Sequence, residues 1–268
     1  MEKKFKFGVI GAGFMSTAIV KGIINSNFIP SSDILVSDVS KENLNKIATL
    51  GVNTTNCNNT VLSSCEYVLF AVKPQSLGDV LSSIIDRDNK KIISIMAGVK
   101  KQRFSSFFSN SKICRCMPNT PCAISSGAIA IDCSDYTLKD DIDFIKGIFS
   151  CIANVVFVEE EKLNAVTGIS GSSPAYFYQF VKSLVSAGVK NGIDYNDSLN
   201  LVVSTMIGAG KMILENQDKT IDELITAVCS KGGTTIEAMK TFEREGLDKI
   251  VDNAVTACIN RAKELESL

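Results

Sequence analysis

An α/β chain, with a doubly wound parallel sheet first and an all-α domain after it, is what three features of the sequence predict. The runs Tyr67-Val-Leu-Phe-Ala-Val72, Lys91-Ile-Ile-Ser-Ile-Met96 and Lys112-Ile-Cys-Arg-Cys-Met117 are short and largely apolar, as expected for strands buried on both faces. They alternate with helical patterns over 76–85 and 101–108, the rhythm of strand–helix–strand units. Near residue 160 the strand patterns stop and helical ones take over. The expected domains are therefore 1–160 and 161–268.

A first strand over 5–10 is followed by Gly11-Ala12-Gly13-Phe14-Met15-Ser16 and a helical pattern over 17–24. Gly-x-Gly-x-x-Ser between a strand and a helix is a dinucleotide fingerprint of the Rossmann type. The first Gly makes the turn, the second lets a pyrophosphate reach the helix N-terminus, and a small third residue lets the helix pack closely. A second strand over 33–37 ends at Asp38, 27 positions after Gly11, where a carboxylate would meet an adenosine ribose. A cap or turn before the helix over 41–50 is the other reading of Asp38. The strand-like 52–55 comes next, then Asn58, expected to cap a helix over 59–65. Later strands end at Lys73-Pro74, at Ala97-Gly98 and at Pro118-Asn119-Thr120-Pro121. Ligands of doubly wound sheets bind outside the carboxyl ends of the strands, where these segments lie. Strands over 127–132 and 154–158, flanking a helix over 138–149, complete the first domain.

In the second domain Ser173-Pro174 starts a helix running to about 192, with Pro174 suited to the first turn. The stretch 199–214 is apolar around much of its circumference, and Gly208, Ala209 and Gly210 permit close helix approach. Such a helix is buried on several sides, more than a region of about a hundred residues encloses alone. A helical dimerisation domain is expected, with a monomeric bundle as the alternative. Further on, a helical pattern is stopped by Gly232-Gly233, and a new helix begins at Thr234. The N–H groups of Thr234, Thr235 and Ile236 would be free donors, a seat for a carboxylate or phosphate. A tight turn with a Thr cap is the plainer reading of the same residues.

Composition narrows the classes. Lys plus Arg (28) balances Asp plus Glu (29), with no basic block, so no nucleic-acid partner is expected. No apolar run has the length of a membrane span, and Met1-Glu-Lys-Lys-Phe-Lys-Phe lacks a signal-peptide apolar region. Nine Cys occur without a Cys-x-x-Cys pair, which suits a reduced, cytoplasmic protein with no metal site. There is no His, which excludes Ser-His and Cys-His triads and His-ligated metals.

Ser230-Lys-Gly-Gly-Thr-Thr-Ile-Glu-Ala238 resembles the signature of Δ1-pyrroline-5-carboxylate reductases. Gly11-Ala-Gly-Phe-Met15, Ala71-Val-Lys-Pro74, Cys116-Met-Pro-Asn-Thr-Pro121 and Leu163-Asn-Ala-Val-Thr-Gly-Ile-Ser-Gly-Ser-Ser-Pro-Ala-Tyr176 fall in the family's order and spacing. The resemblance spans essentially the whole chain. It departs at Ser173, where the family has Gly, at Lys231, where it has Pro, and at Leu224-Ile-Thr, where it commonly has Leu-Lys-Asp. It implies reduction of L-1-pyrroline-5-carboxylate to L-proline with NADPH or NADH, and helical domains that interlock as a homodimer, often several dimers to a ring.

A protonated cyclic imine accepts hydride readily, so such an enzyme need only orient it and stabilise its charges, in keeping with a chain that lacks His. On this resemblance Gly232, Gly233, Thr234 and Thr235 take the substrate carboxylate, and the Thr235 hydroxyl hydrogen-bonds the ring nitrogen. Ser230 and Glu160 are further substrate candidates, with capping or surface roles as their alternatives. Gly11, Ala12, Gly13, Phe14 and Met15 hold the pyrophosphate, and Ser37, Asp38 and Asn58 face the adenosine end. Ala71, Val72, Lys73, Pro74, Ala97 and Gly98 line the path to the nicotinamide, with Asn119 and Thr120 beside it. Two rivals are a 3-hydroxyacid dehydrogenase, with Lys182 or Lys190 as its acid, and a non-catalytic dinucleotide-binding regulator.

Overall fold

The structure is a computed structural model and describes residues 4–266. Its strands are β1 (Phe5–Ile10), β2 (Ile34–Ser37), β3 (Asn53–Thr55), β4 (Cys65–Phe70), β5 (Lys91–Ser94), β6 (Lys112–Pro118), β7 (Gly127–Asp132) and β8 (Ala153–Phe157). They form one sheet in the order β3-β2-β1-β4-β5-β6-β7-β8. The helices are α1 (Phe14–Asn25), α2 (Lys41–Ala48), α3 (Asn58–Ser64), α4 (Leu77–Ser82), α5 (Lys101–Ser105) and α6 (Lys139–Ser150). After the sheet come α7 (Leu163–Val166), α8 (Ser173–Lys190), α9 (Tyr195–Glu215), α10 (Ile221–Val228), α11 (Thr234–Arg244) and α12 (Leu247–Glu266).

The apolar runs become strands because each residue has a buried face to fill. Phe7, Val9, Tyr67 and Leu69 face a core closed by Ile19 and Ile23 of α1 and by Ile145, Ile148 and Phe149 of α6. Ile10, Val68, Phe70 and Ile92 face the opposite core, closed by Val61 and Leu62 of α3, Leu77 and Leu81 of α4, and Phe104 of α5. Full burial of one such side chain stabilises by about 1.5–3 kcal/mol, and Phe7, Phe70, Phe104, Phe108 and Phe149 are all completely covered.

One pair departs from the expected parallel order. β6 and β7 are antiparallel, with Arg115 opposite Asp132 and Pro118 opposite Ile129. The reason is the connection, which runs only from Asn119 to Ser126 and contains a single 3-10 turn. A parallel crossover needs about a dozen residues or more. β8 then pairs parallel with β7.

The described residues divide into two compact units. The first runs to Ser172 and also includes the chain from Cys258; the second is Ser173–Ala257. The sequence predicts a domain change at 160, where the strand pattern ends. Thr167–Gly171, at the end of the first unit, forms a π-helical turn, a feature frequent at functional sites. The second unit contains α8, α9, α10, α11 and the start of α12, and no strand is assigned in it. Many of its large apolar side chains are exposed, among them Phe177, Tyr178, Leu201, Ile207, Met212 and Leu214.

Candidate active site

The fingerprint loop is built as its residues require. Gly11 has φ +102, and a Cβ there would lie 2.9 Å from the Ala71 carbonyl oxygen, so only Gly fits. Its N–H donates to the Ser37 carbonyl at 2.8 Å, which ties the loop to the end of β2. Gly13 is the N-cap of α1, with extended φ and ψ and no side-chain cap. A Cβ on Gly13 would meet nothing within 4 Å. Gly13 and Phe14 are exposed, while Ala12 and Ser16 are buried. A helix N-terminus with uncapped donors and an open space in front of it fits a dinucleotide pyrophosphate.

Asp38 proves to be a clamp. One carboxylate oxygen accepts from the Ala12 N–H at 2.7 Å, and the other accepts from the Ser40 N–H at 2.7 Å. The carboxylate thus joins the fingerprint loop to the start of α2, whose own cap is the Ser40 hydroxyl accepting from the Asn43 N–H. Of the two readings of Asp38, the turn before α2 is present in its bond to Ser40, while Ser40 and not Asp38 is the N-cap. The neighbouring Val39 is 94% exposed. Ser37 is fully buried, and its hydroxyl donates to Asn58 Oδ1 at 2.7 Å, so it supports Asn58 from beneath. Asn58 does not cap α3 as expected: Cys57 is the N-cap, without a side-chain bond, and Asn58 is the first helical residue. Its carbonyl oxygen is taken by Ser37, which turns the side chain from the helix end.

At the other strand ends, Ala71 and Val72 are half-buried, while Lys73 and Pro74 are exposed where a short 3-10 turn begins. Ala97 is exposed, and Gly98 has φ +70. A cavity of about 670 Å³ opens beside Pro74, Gly78, Ala97, Gly98 and Arg103. Asn119 holds its own loop: its Oδ1 accepts from the Ala128 N–H at 3.0 Å, and its Nδ2 reaches Ser170 Oγ at 3.5 Å. Thr120 opens the next 3-10 turn and is exposed.

Glu160 is engaged within the first unit. Its Oε1 accepts from the Lys101 N–H at 2.7 Å, capping α5, and lies 3.2 Å from Arg115 Nη1. Arg115 is 4% exposed in the middle of β6 and was missed in the sequence reading. The signal was available, since a cation inside a continuous apolar run must find a buried partner.

In the second unit, Gly233 is the N-cap of α11, again extended and without a side-chain cap, and Gly232 before it has φ +74. The Gly233 N–H donates to the Ser230 carbonyl at 2.9 Å, closing a turn. Thr234 is therefore the first helical residue and not its cap. Ser230, Gly232, Thr234 and Thr235 are all exposed. Lys182 and Lys190, the acids of the rival reading, are exposed on α8. Cys114, Cys116 and Cys133 form a buried cluster, and burial pushes the Cys114 thiol up, as in an inert structural cysteine. Among the described residues no group of three or more Cys, Asp or Glu is arranged to hold a metal ion. Nor is any helix among them long and apolar enough to cross a membrane.

A Rossmann-type unit with an open phosphate seat, followed by a helical unit, defines the class: an NAD(P)H-dependent oxidoreductase. Comparison with known proteins narrows it. A family model described as pyrroline-5-carboxylate reductase dimerisation matches residues 160–265, and one described as NADP oxidoreductase, coenzyme F420-dependent, matches residues 6–98. The pyrroline-5-carboxylate reductase of Haemophilus influenzae is 35% identical over 97% of this chain and 97% of its own. A pyrroline-5-carboxylate reductase structure from Coxiella burnetii superposes with a TM-score of 0.86 at 30% identity, covering 98% of this chain and 99% of that one. One from Plasmodium falciparum with NADP bound gives 0.84 at 30%, covering 98% and 99%. The chain belongs to the pyrroline-5-carboxylate reductase family.

Proposed function

We propose that this protein reduces the C=N bond of L-1-pyrroline-5-carboxylate to give L-proline, the last step of proline synthesis. The observation that carries the reading is the open N-terminus of α11, led by Gly232-Gly233 and free of any side-chain cap. When bound, NADH or NADPH supplies the hydride that the imine carbon accepts. The exposed N–H groups at the start of α11 take the substrate carboxylate, favoured by the positive end of the helix dipole. The Thr235 hydroxyl oxygen, in the first turn of α11, accepts from the protonated ring N–H and fixes which face of the ring is presented. The uncapped donors at Gly13 and Phe14 hold the pyrophosphate.

Asp38 favours NADH in this reading. Its clamped carboxylate retains lone pairs for ribose hydroxyls, and it would oppose a 2′-phosphate at short range. Lys41, the first residue of α2, offsets part of that repulsion, so both coenzymes are used, with NADH at least competitive. The exposed apolar side chains of α8 and α9 support a homodimer, with rings of dimers as its larger form. The unpaired thiols support a reducing, cytoplasmic setting.

Reduced-coenzyme absorbance, followed with purified protein and pyrroline-5-carboxylate, tests the reading. Substrate-dependent loss with L-proline formed is expected. Coenzyme binding without turnover would leave the regulator reading standing instead.

A further inference from the structure

The last turn of α12 belongs to the first unit, and it ends on a buried cluster of charges. Glu266, with only 7% of its side chain exposed, places Oε1 2.9 Å from Arg115 Nη2 and Oε2 3.3 Å from Lys100 Nζ. Arg115 is also paired to Glu160, whose carboxylate caps the Lys101 N–H. Two cations, the buried Arg115 and the exposed Lys100, thus meet two carboxylates, and Glu266 is the one that touches both. A buried guanidinium left with one partner is costly. Burial acts to raise the Glu266 carboxyl, but the Asn164 amide and the Arg115 guanidinium outweigh it and hold the group below its usual range.

The residue before it touches the other side of the same loop. A Cβ on Gly98 would lie 3.0 Å from Leu265 Cβ, so the chain here fits against Leu265 only because residue 98 is Gly. Leu265 at Gly98 and Glu266 at Lys100 therefore hold the segment Gly98–Lys100, and with Ala97 and Pro74 they wall the cavity of about 670 Å³.

We propose that this last turn is a latch that positions the loop after β5 for the nicotinamide half of the coenzyme, with Glu266 as its positioning residue. The proposal rests on the reading that Ala97 and Gly98 lie along the nicotinamide path. Glu266→Gln keeps the shape and removes the charge. Affinities for NADH and for ADP-ribose, which lacks the nicotinamide, are measured by titration calorimetry on wild type and variant, with melting temperature alongside. The latch predicts about five- to tenfold weaker NADH binding and unchanged ADP-ribose binding. Leu265→Ala, which loosens the grip without touching the charges, is expected to show the same split. Equal losses for both ligands, or a lower melting temperature with both affinities intact, would mean that the turn only stabilises the fold. Wild-type protein that binds ADP-ribose and not NADH would overturn the nicotinamide reading and the latch with it. Normal NADH binding by both variants would overturn the latch alone.

Discussion

The chain contains two helix N-termini of the same design and opposite support. At α1 and at α11 the N-cap is Gly, extended and without a side-chain cap, and a Gly with positive φ lies just upstream. Elsewhere α2, α9 and α10 are capped by Ser40, Asp194 and Thr220, the last in a full capping box. Leaving donors free costs helix stability, about 1 kcal/mol for a missing cap. Side-chain caps are missing at α3, α4, α5 and α6 as well, so what sets α1 and α11 apart is the Gly N-cap with a positive-φ Gly just upstream, which leaves the backbone open to a ligand. They differ in what stands behind them. The α1 seat is braced by Asp38 on Ala12, by the Ser37 carbonyl on Gly11, and by a buried helix face. The α11 seat is exposed, and its turn is closed only by the Gly233 bond to Ser230. The difference teaches that the α1 seat, proposed for the coenzyme, is preformed within one unit, whereas the α11 seat, proposed for the substrate, draws less support from its own unit.

Substitutions sharpen that contrast. Gly11→Ala should have the largest effect, because the new Cβ meets the Ala71 carbonyl and φ +102 is strained for Ala. A loss of about 2–3 kcal/mol in stability is expected, with coenzyme binding abolished, read by denaturant melts and NADH titration. Asp38→Ser should come next. It removes the loop clamp and the charge together, and the ratio of catalytic efficiencies, NADH over NADPH, should fall about tenfold or more. An unchanged ratio would mean that the carboxylate serves the loop alone. Gly232→Ala should be the mildest. Its φ of +74 is disfavoured for Ala, but a Cβ there meets nothing within 4 Å. About 1 kcal/mol of strain is expected, appearing as a raised KM for the imine with NADH affinity unchanged.

Much of the sheet was legible because burial on both faces leaves a plain record. The runs 67–72, 91–96 and 112–117 needed no long-range information, and neither did the Gly-led turns before α1 and α11. The antiparallel β7 was not legible from periodicity, since Gly127–Asp132 reads alike in either direction. Only the short connection distinguishes the two, and its length shows once both strand ends are known. Asp38 was placed at the right strand end, but its bonds to Ala12 and Ser40 depend on how the fingerprint loop folds back. Arg115 announced a buried partner without naming it. Glu266 lies 151 positions away, a pairing that no local pattern carries.

Thr235→Val tests most directly whether the two seats are separate. It keeps the side-chain shape and removes a hydroxyl whose hydrogen bond is worth about 1–3 kcal/mol when its partner is charged. NADH affinity and single-turnover oxidation of NADH by pyrroline-5-carboxylate would be measured on the same protein. Unchanged affinity with oxidation slowed at least about fivefold is the predicted result. A loss of NADH affinity equal to the loss of rate would contradict it and place α11 on the coenzyme instead.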